Sequence, residues 1–195
     1  MGIAIDLKGK YSYADYLTWP DEERWELIEG YPYDMSPAPN RKHQGILGEL
    51  FRKFADHFDD KPCRVYVAPF DVRLAEDYTD DHLIENVVQP DISVFCKKDR
   101  LDTKGAVGAP DLVVEILSPS TTTKDIKTKL LLYQKYKVNE YWIVDPVKES
   151  VEILVLDEEE KYNPGTLFEK DQVVHSTFFE TLVIDLPKLF QAVND

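Results

Sequence analysis

The chain is short of cysteine, of glycine-rich loops, of positive charge and of long apolar runs, and each shortage removes a class of protein. Its 195 residues hold two cysteines, Cys63 and Cys96, without Cys-x-x-Cys spacing, which leaves no framework for a disulfide-dense scaffold or a zinc ribbon. Both are expected as reduced thiols packed in the core or at an edge. No apolar run approaches the roughly 20 residues that a bilayer-spanning helix needs. The first residues, Met1 to Lys8, lack the basic-then-apolar form of a secretion signal. The opening Met1-Gly2 would suit myristoylation, but Asp6 stands where that motif requires Ser or Thr. A soluble, cytoplasmic chain without a membrane partner is therefore expected. Only 23 Lys and Arg face 37 Asp and Glu, a net charge of −14, which opposes broad, non-specific binding of polyanions but not a local site. No Gly-rich phosphate-cradling loop supports a small-molecule phosphohydrolase. Internal repeats and low-complexity tracts are absent as well.

What is present describes a globular protein. Charged residues make up 31%, and 11 Tyr, 9 Phe and 3 Trp supply core material. The length suits one domain over 1–195. Within it, 1–40 reads as an N-terminal helix and hairpin, 41–146 as the core, and 147–195 as C-terminal strands with a short helix.

In chain order, Tyr11 to Leu17 is a short helix, and Arg24 to Met35 alternates around Glu29-Gly30 as a hairpin. Asn40 is placed to cap a helix over Arg41 to Phe58, where Ile46, Leu47, Leu50, Phe51, Phe54 and Phe58 recur at helical spacing. Cys63 to Leu74 is strand-like, with Pro69 marking a bulge or edge. The acidic connector 75–86 lacks the spacing and glycine of a calcium loop. Val87 to Cys96 is the next strand, and Asp99 to Gly108 is polar and loop-like. Leu112 to Leu117 is apolar on both faces except for Glu115, so this acid sits in a buried strand. A helix follows, with Thr122 as a capping-box residue, and its stripe includes Ile126, Leu130 and Tyr133. Tyr141 to Val144 is then a strand parallel to the Glu115 strand. Antiparallel strands beyond Val151 and a terminal helix complete a mixed sheet flanked by helices.

Asp91 follows Pro90 on one strand and Glu115 lies inside the next, so the two carboxylates can converge on a hard divalent cation. A lysine beside them would orient water or stabilise a pentacovalent phosphate. Lys127 and Lys129 stand on the following helix about 200° of arc apart, so only one can face the site. Each residue also has a plainer reading. Lys129 could pair with Asp125, Asp91 could be satisfied by backbone donors, and Glu115 could meet an arginine or hydroxyl from elsewhere. His43 could be a capping or exposed imidazole.

Trp25 to Gly30, Met35-Ser36-Pro37, His43, Pro90-Asp91, Ala109 to Thr121, Asp125 with Lys129 and Tyr133, and Glu140 to Pro146 together resemble the Uma-type restriction-endonuclease family. This is a branch of the PD-(D/E)XK nuclease superfamily. The resemblance implies an α+β restriction-endonuclease-like αβββαβ core, with the N-terminal hairpin and C-terminal antiparallel strands as additions. It also implies Asp91 and Glu115 as Mg²⁺ ligands, with Mn²⁺ as substitute, hydrolysis of a nucleic-acid phosphodiester, DNA first, and Glu26 and His43 as auxiliary residues. The superfamily's lysine falls two residues after the glutamate, where this chain has Leu117. Lys129 is the family-position candidate to replace it. A non-catalytic interaction or regulatory module on the same fold is the alternative, favoured by the net charge and by Leu117. A two-fold homodimer, in which two sites address two strands, is expected from the apolar additions at both ends.

Overall fold

A computed structural model describes residues 5–20, 23–35, 39–75, 80–118 and 123–194. The expected Thr122 capping box and Ser36-Pro37 lie outside these residues, and the acidic connector is described only in part.

The N-terminal helix α1 is Tyr13–Tyr16, and its capping box joins Ser12 to Asp15. The hairpin of β1 (Trp25–Ile28) and β2 (Tyr31–Asp34) turns at Glu29-Gly30, both with positive φ, as a tight turn requires. Helix α2 (Arg41–Phe58) begins where the Asn40 side chain accepts the His43 backbone N–H. Ile46, Leu47, Leu50, Phe54 and Phe58 face the core, but Phe51, expected among them, is exposed.

The next strands are β3 (Arg64–Val67), β4 (Val72–Arg73), β5 (Val87–Val88) and β6 (Ile92–Phe95). The two runs expected as single strands are each divided. Pro69 and Pro90 have no N–H to continue a ladder, so the chain passes from one sheet to another at each. The segment expected as a loop also carries a small hairpin, β7 (Leu101–Asp102) and β8 (Gly105–Val107). Gly105 makes this possible, since its φ of 131° is one that side chains rarely adopt and a Cβ there would collide with the Asp71 carbonyl oxygen.

Strand β9 (Leu112–Ile116), helix α3 (Thr123–Lys135) and strand β10 (Glu140–Asp145) form the expected crossover, with β9 and β10 parallel. β11 (Ser150–Val155), β12 (Thr166–Phe168), β13 (Val173–His175), β14 (Val183–Asp185) and α4 (Leu186–Asn194) follow. Lys161-Tyr162, expected as strand, contributes a lone bridge from Tyr162 to Leu156.

Among the described residues the strands form two six-stranded sheets and one pair. The orders are β2-β1-β5-β4-β8-β7, β12-β11-β10-β9-β6-β3 and β13-β14. Alternation along β9 and β10 decides what each face of the second sheet meets. Leu112, Val114, Trp142 and Val144 pack against α2 and α4. Val113, Tyr141 and Ile143 turn to α3 and to the first sheet. Glu115 shares the parity of Val113, so it lies on the α3 side.

The cysteine expectation is corrected. Cys63 and Cys96 form a disulfide. Arg64 pairs with Phe95 in the β3–β6 ladder, and continuing that register by one residue sets Cys63 opposite Cys96. Their 33-residue separation carried no sign of this pairing.

Candidate active site

The β6–β9 ladder pairs Ile92 with Val114, and one step further sets Asp91 opposite Glu115. Directly opposed residues lie on one face with Cβ atoms about 5 Å apart. Asp91 follows the β5–β6 break, so its carboxylate is free to turn to the end of β9, where Oδ2 accepts the Ile116 N–H at 2.7 Å. The backbone donor of the plainer reading is thus real. The imidazole of His43, from the first turn of α2, is buried and brings Nε2 to 3.3 Å from the same oxygen. Among the described residues its Nδ1 has no well-aligned partner.

Helix α3 supplies the cation. Lys129 Nζ donates to Glu115 Oε1 at 2.9 Å and to Glu26 Oε1 at 3.0 Å, while Lys127 is exposed, as the helical arc requires. Tyr133, one turn on, donates its hydroxyl to Glu115 Oε1 at 2.6 Å. Glu26 stands on β1 and also accepts the Gln89 N–H at 2.9 Å. The structure therefore gathers Glu26, His43, Asp91, Glu115 and Lys129 at one cleft of about 540 Å³, between the hairpin, the start of α2, the end of β9 and α3. Leu117 lines the same cleft but packs toward the α3 side.

Charge in the cleft is uneven. Burial pushes the Glu115 carboxyl up to about 7 against the pull of Lys129, with Asp91 and Glu26 adding repulsion. Burial would lower Lys129, but Glu115 and Glu26 hold its amine well above the ordinary lysine range, so it is a fixed cation. Burial likewise opposes protonation of His43, yet Asp91 and the Ile116 backbone raise it above the usual imidazole value.

The donor set suits a hard cation of low protein coordination. Among the described residues no group of three or more His, Cys, Asp or Glu forms a ready-made metal cage. Two opposed carboxylates are what Mg²⁺ takes when it keeps several waters and a substrate phosphate. Lys129 and Tyr133 both use Glu115 Oε1, and Ile116 uses Asp91 Oδ2. The second oxygen of each acid accepts no hydrogen bond from a described residue.

Against known proteins, residues 13–187 match the family model Uma2, described as "Putative restriction endonuclease". The chain belongs to this family. An uncharacterized protein of Synechocystis sp. is 32% identical over 127 residues, a match spanning 64% of this chain and 62% of that relative. The crystal structure of a protein described as a putative nuclease belonging to DUF820, from Anabaena variabilis, superposes with a TM-score of 0.74. That match covers 93% of this chain and 98% of the other at 22% identity, and it establishes the restriction-endonuclease-like fold of this Uma2 chain. No helix among its described residues is long and apolar enough to cross a membrane.

Two residues that hold the site's acids had no assigned role in the sequence. Tyr133 stood in the apolar stripe of α3 and among the residues of the family resemblance, but nothing local shows that its hydroxyl meets an acid. Gln89 stood beside Pro90-Asp91 in the sequence, but its contact with Glu26, 63 residues away, had no signal.

Proposed function

We propose that this Uma2 chain is a metal-dependent nuclease that hydrolyses phosphodiester bonds of nucleic acid, with DNA as the first substrate to test. The observation that carries the reading is the Lys129 amine, delivered from α3 to within 2.9 Å of Glu115 although Leu117 occupies the superfamily's lysine position. Asp91 and Glu115 would hold Mg²⁺ or Mn²⁺. When bound, that metal supplies charge stabilisation at the phosphate and a water of lowered pKa.

The chain's own groups have separable tasks. Lys129 stays protonated near neutral pH and so acts by donating hydrogen bonds, either orienting the attacking water or meeting charge that develops on a phosphate oxygen. Glu26 is the second acceptor that holds the Lys129 amine. Tyr133 fixes one oxygen of Glu115, and His43 with the Ile116 N–H fixes one oxygen of Asp91. In the net reaction water attacks phosphorus, a P–O ester bond breaks, and the leaving oxygen takes a proton.

The test is incubation of purified protein with DNA and RNA, single- and double-stranded, in Mg²⁺ or Mn²⁺, alongside Asp91→Ala. Cleavage that vanishes in a folded Asp91→Ala protein supports the reading. Failure to cleave any substrate form in either metal sinks it. A second reading, an interaction module on the nuclease fold, is favoured by the net charge of −14 and by Leu117. It predicts no metal-dependent turnover for Asp91→Ala to remove. A two-fold dimer, placing two clefts against two strands, belongs to the same proposal and is checked by sedimentation equilibrium.

A further inference from the structure

The cleft that should receive a polyanion is lined by more acids than cations. Lys129 is committed to Glu26 and Glu115. A phosphate entering here needs a cation whose charge is not already cancelled by a carboxylate.

Arg24 is that cation. Period-two alternation puts Arg24, Glu26 and Ile28 on one face of the hairpin, and all three line the cleft. The Arg24 carbonyl accepts the Met35 N–H at 3.0 Å, which extends the β1–β2 pairing to this position and fixes its backbone. Its guanidinium donates Nε and Nη2 to one neutral acceptor, Gln89 Oε1, at 3.2 and 2.8 Å. Among the described residues no carboxylate pairs with it. An amide oxygen orients a guanidinium without neutralising it, and among the described residues three of its five N–H groups have no acceptor.

The holder of Arg24 is itself held. Gln89 is buried, and its Nε2 donates to Asp71 Oδ1 at 2.9 Å and to the Tyr16 hydroxyl at 3.1 Å. Tyr13 and Tyr16 donate their hydroxyls to the two oxygens of Asp71 at 3.2 Å each. The Gln89 N–H donates to Glu26 Oε1, the oxygen that also holds Lys129. One residue thus positions Arg24 through its side chain and the Glu26–Lys129 pair through its backbone. A fork kept in place before binding loses little entropy when it captures a phosphate.

We propose that Arg24 binds a backbone phosphate of the nucleic acid in this cleft, and that Gln89 is the positioning residue that aims its guanidinium. The proposal rests on the nucleic-acid part of the reading above but not on turnover. It is tested by anisotropy of a short fluorescent DNA, duplex and single-stranded, titrated with full-length protein in EDTA over a range of salt. Arg24→Gln should weaken binding about tenfold and reduce the slope of log K against log salt by about one phosphate contact, roughly 0.7 to 0.9. Arg24→Lys keeps the charge but cannot grip Gln89 and a phosphate together. It should leave the slope unchanged and weaken binding about threefold. Gln89→Leu should behave like Arg24→Lys. Thermal unfolding confirms that each variant is folded, and if Arg24→Gln is not, the other two decide.

Wild-type affinity and slope in Arg24→Gln, or wild-type affinity in both Arg24→Lys and Gln89→Leu, would overturn the assignment while leaving the nuclease reading intact. Wild-type protein that binds neither DNA form in EDTA overturns the Arg24 assignment, and the cleavage assay with DNA and RNA in Mg²⁺ or Mn²⁺ then decides the nuclease reading separately. Binding that depends on Arg24 in a protein that never cleaves upholds Arg24 and defeats the nuclease.

Discussion

Lys129 and Glu115 meet at 2.9 Å, on a helix and a strand joined by a short connection, and the Lys129 amine is at the same time 3.0 Å from Glu26, 103 residues earlier. This contact closes the cleft on the α3 side. Lys129→Met removes it and should lower turnover by at least about 100-fold in a steady-state cleavage assay, the scale seen when a charge-stabilising donor is lost. Two buried acids would also lose their cation, so urea unfolding should show a loss of about 3 kcal/mol. Retained turnover would remove Lys129 from the mechanism.

The Glu115 carboxyl sets a pH dependence for the metal-free protein. Its pKa rises from 4.5 to about 7 on folding, so between these values the native state keeps a proton that the unfolded chain releases. Stability from this group is whole below pH 4.5 and declines as pH rises to 7. Urea denaturation in EDTA should therefore show a decline across that window that Glu115→Gln flattens. An identical profile in the variant would contradict the assigned shift.

Glu140 is a buried acid with a structural task. Its Oε2 accepts Ser176 Oγ at 2.6 Å and the Phe178 N–H at 2.9 Å, and its Oε1 accepts Trp142 Nε1 at 2.9 Å, tying the segment before β14 to the start of β10. Glu140→Ala leaves those donors unmatched and should cost about 3 kcal/mol or more by chemical denaturation. Cleavage per folded molecule should not change, because none of these residues lines the cleft.

Gly105→Ala should be among the most damaging single-methyl changes. The new Cβ would strike the Asp71 carbonyl oxygen at a φ that side chains rarely adopt, and the Ala106 N–H bond to that oxygen would be disturbed. A loss of about 2 kcal/mol or more in thermal or urea unfolding is expected. A neutral effect would show that the β7–β8 hairpin shifts freely.

Local pattern determined the elements that bury a continuous face. The apolar stripe of α2, the turn at Glu29-Gly30, the β9–α3–β10 crossover and the isolation of Glu115 in an apolar run were all legible, because each depends on neighbours within a turn or a strand. Asp91 and Glu115 could be nominated on the same basis, and Lys129 could be told from Lys127 by helical phase and family position. Tertiary structure alone decided that Pro69 and Pro90 send the chain from one sheet to the other. It also opposed Cys63 to Cys96, exposed Phe51, and brought Glu26 to Lys129 and Gln89 to Arg24. Those contacts join segments dozens of residues apart, where strand register and helix packing choose the partners. A side chain's own sequence neighbourhood says how costly it is to bury, but only the assembled fold says which group offsets that cost.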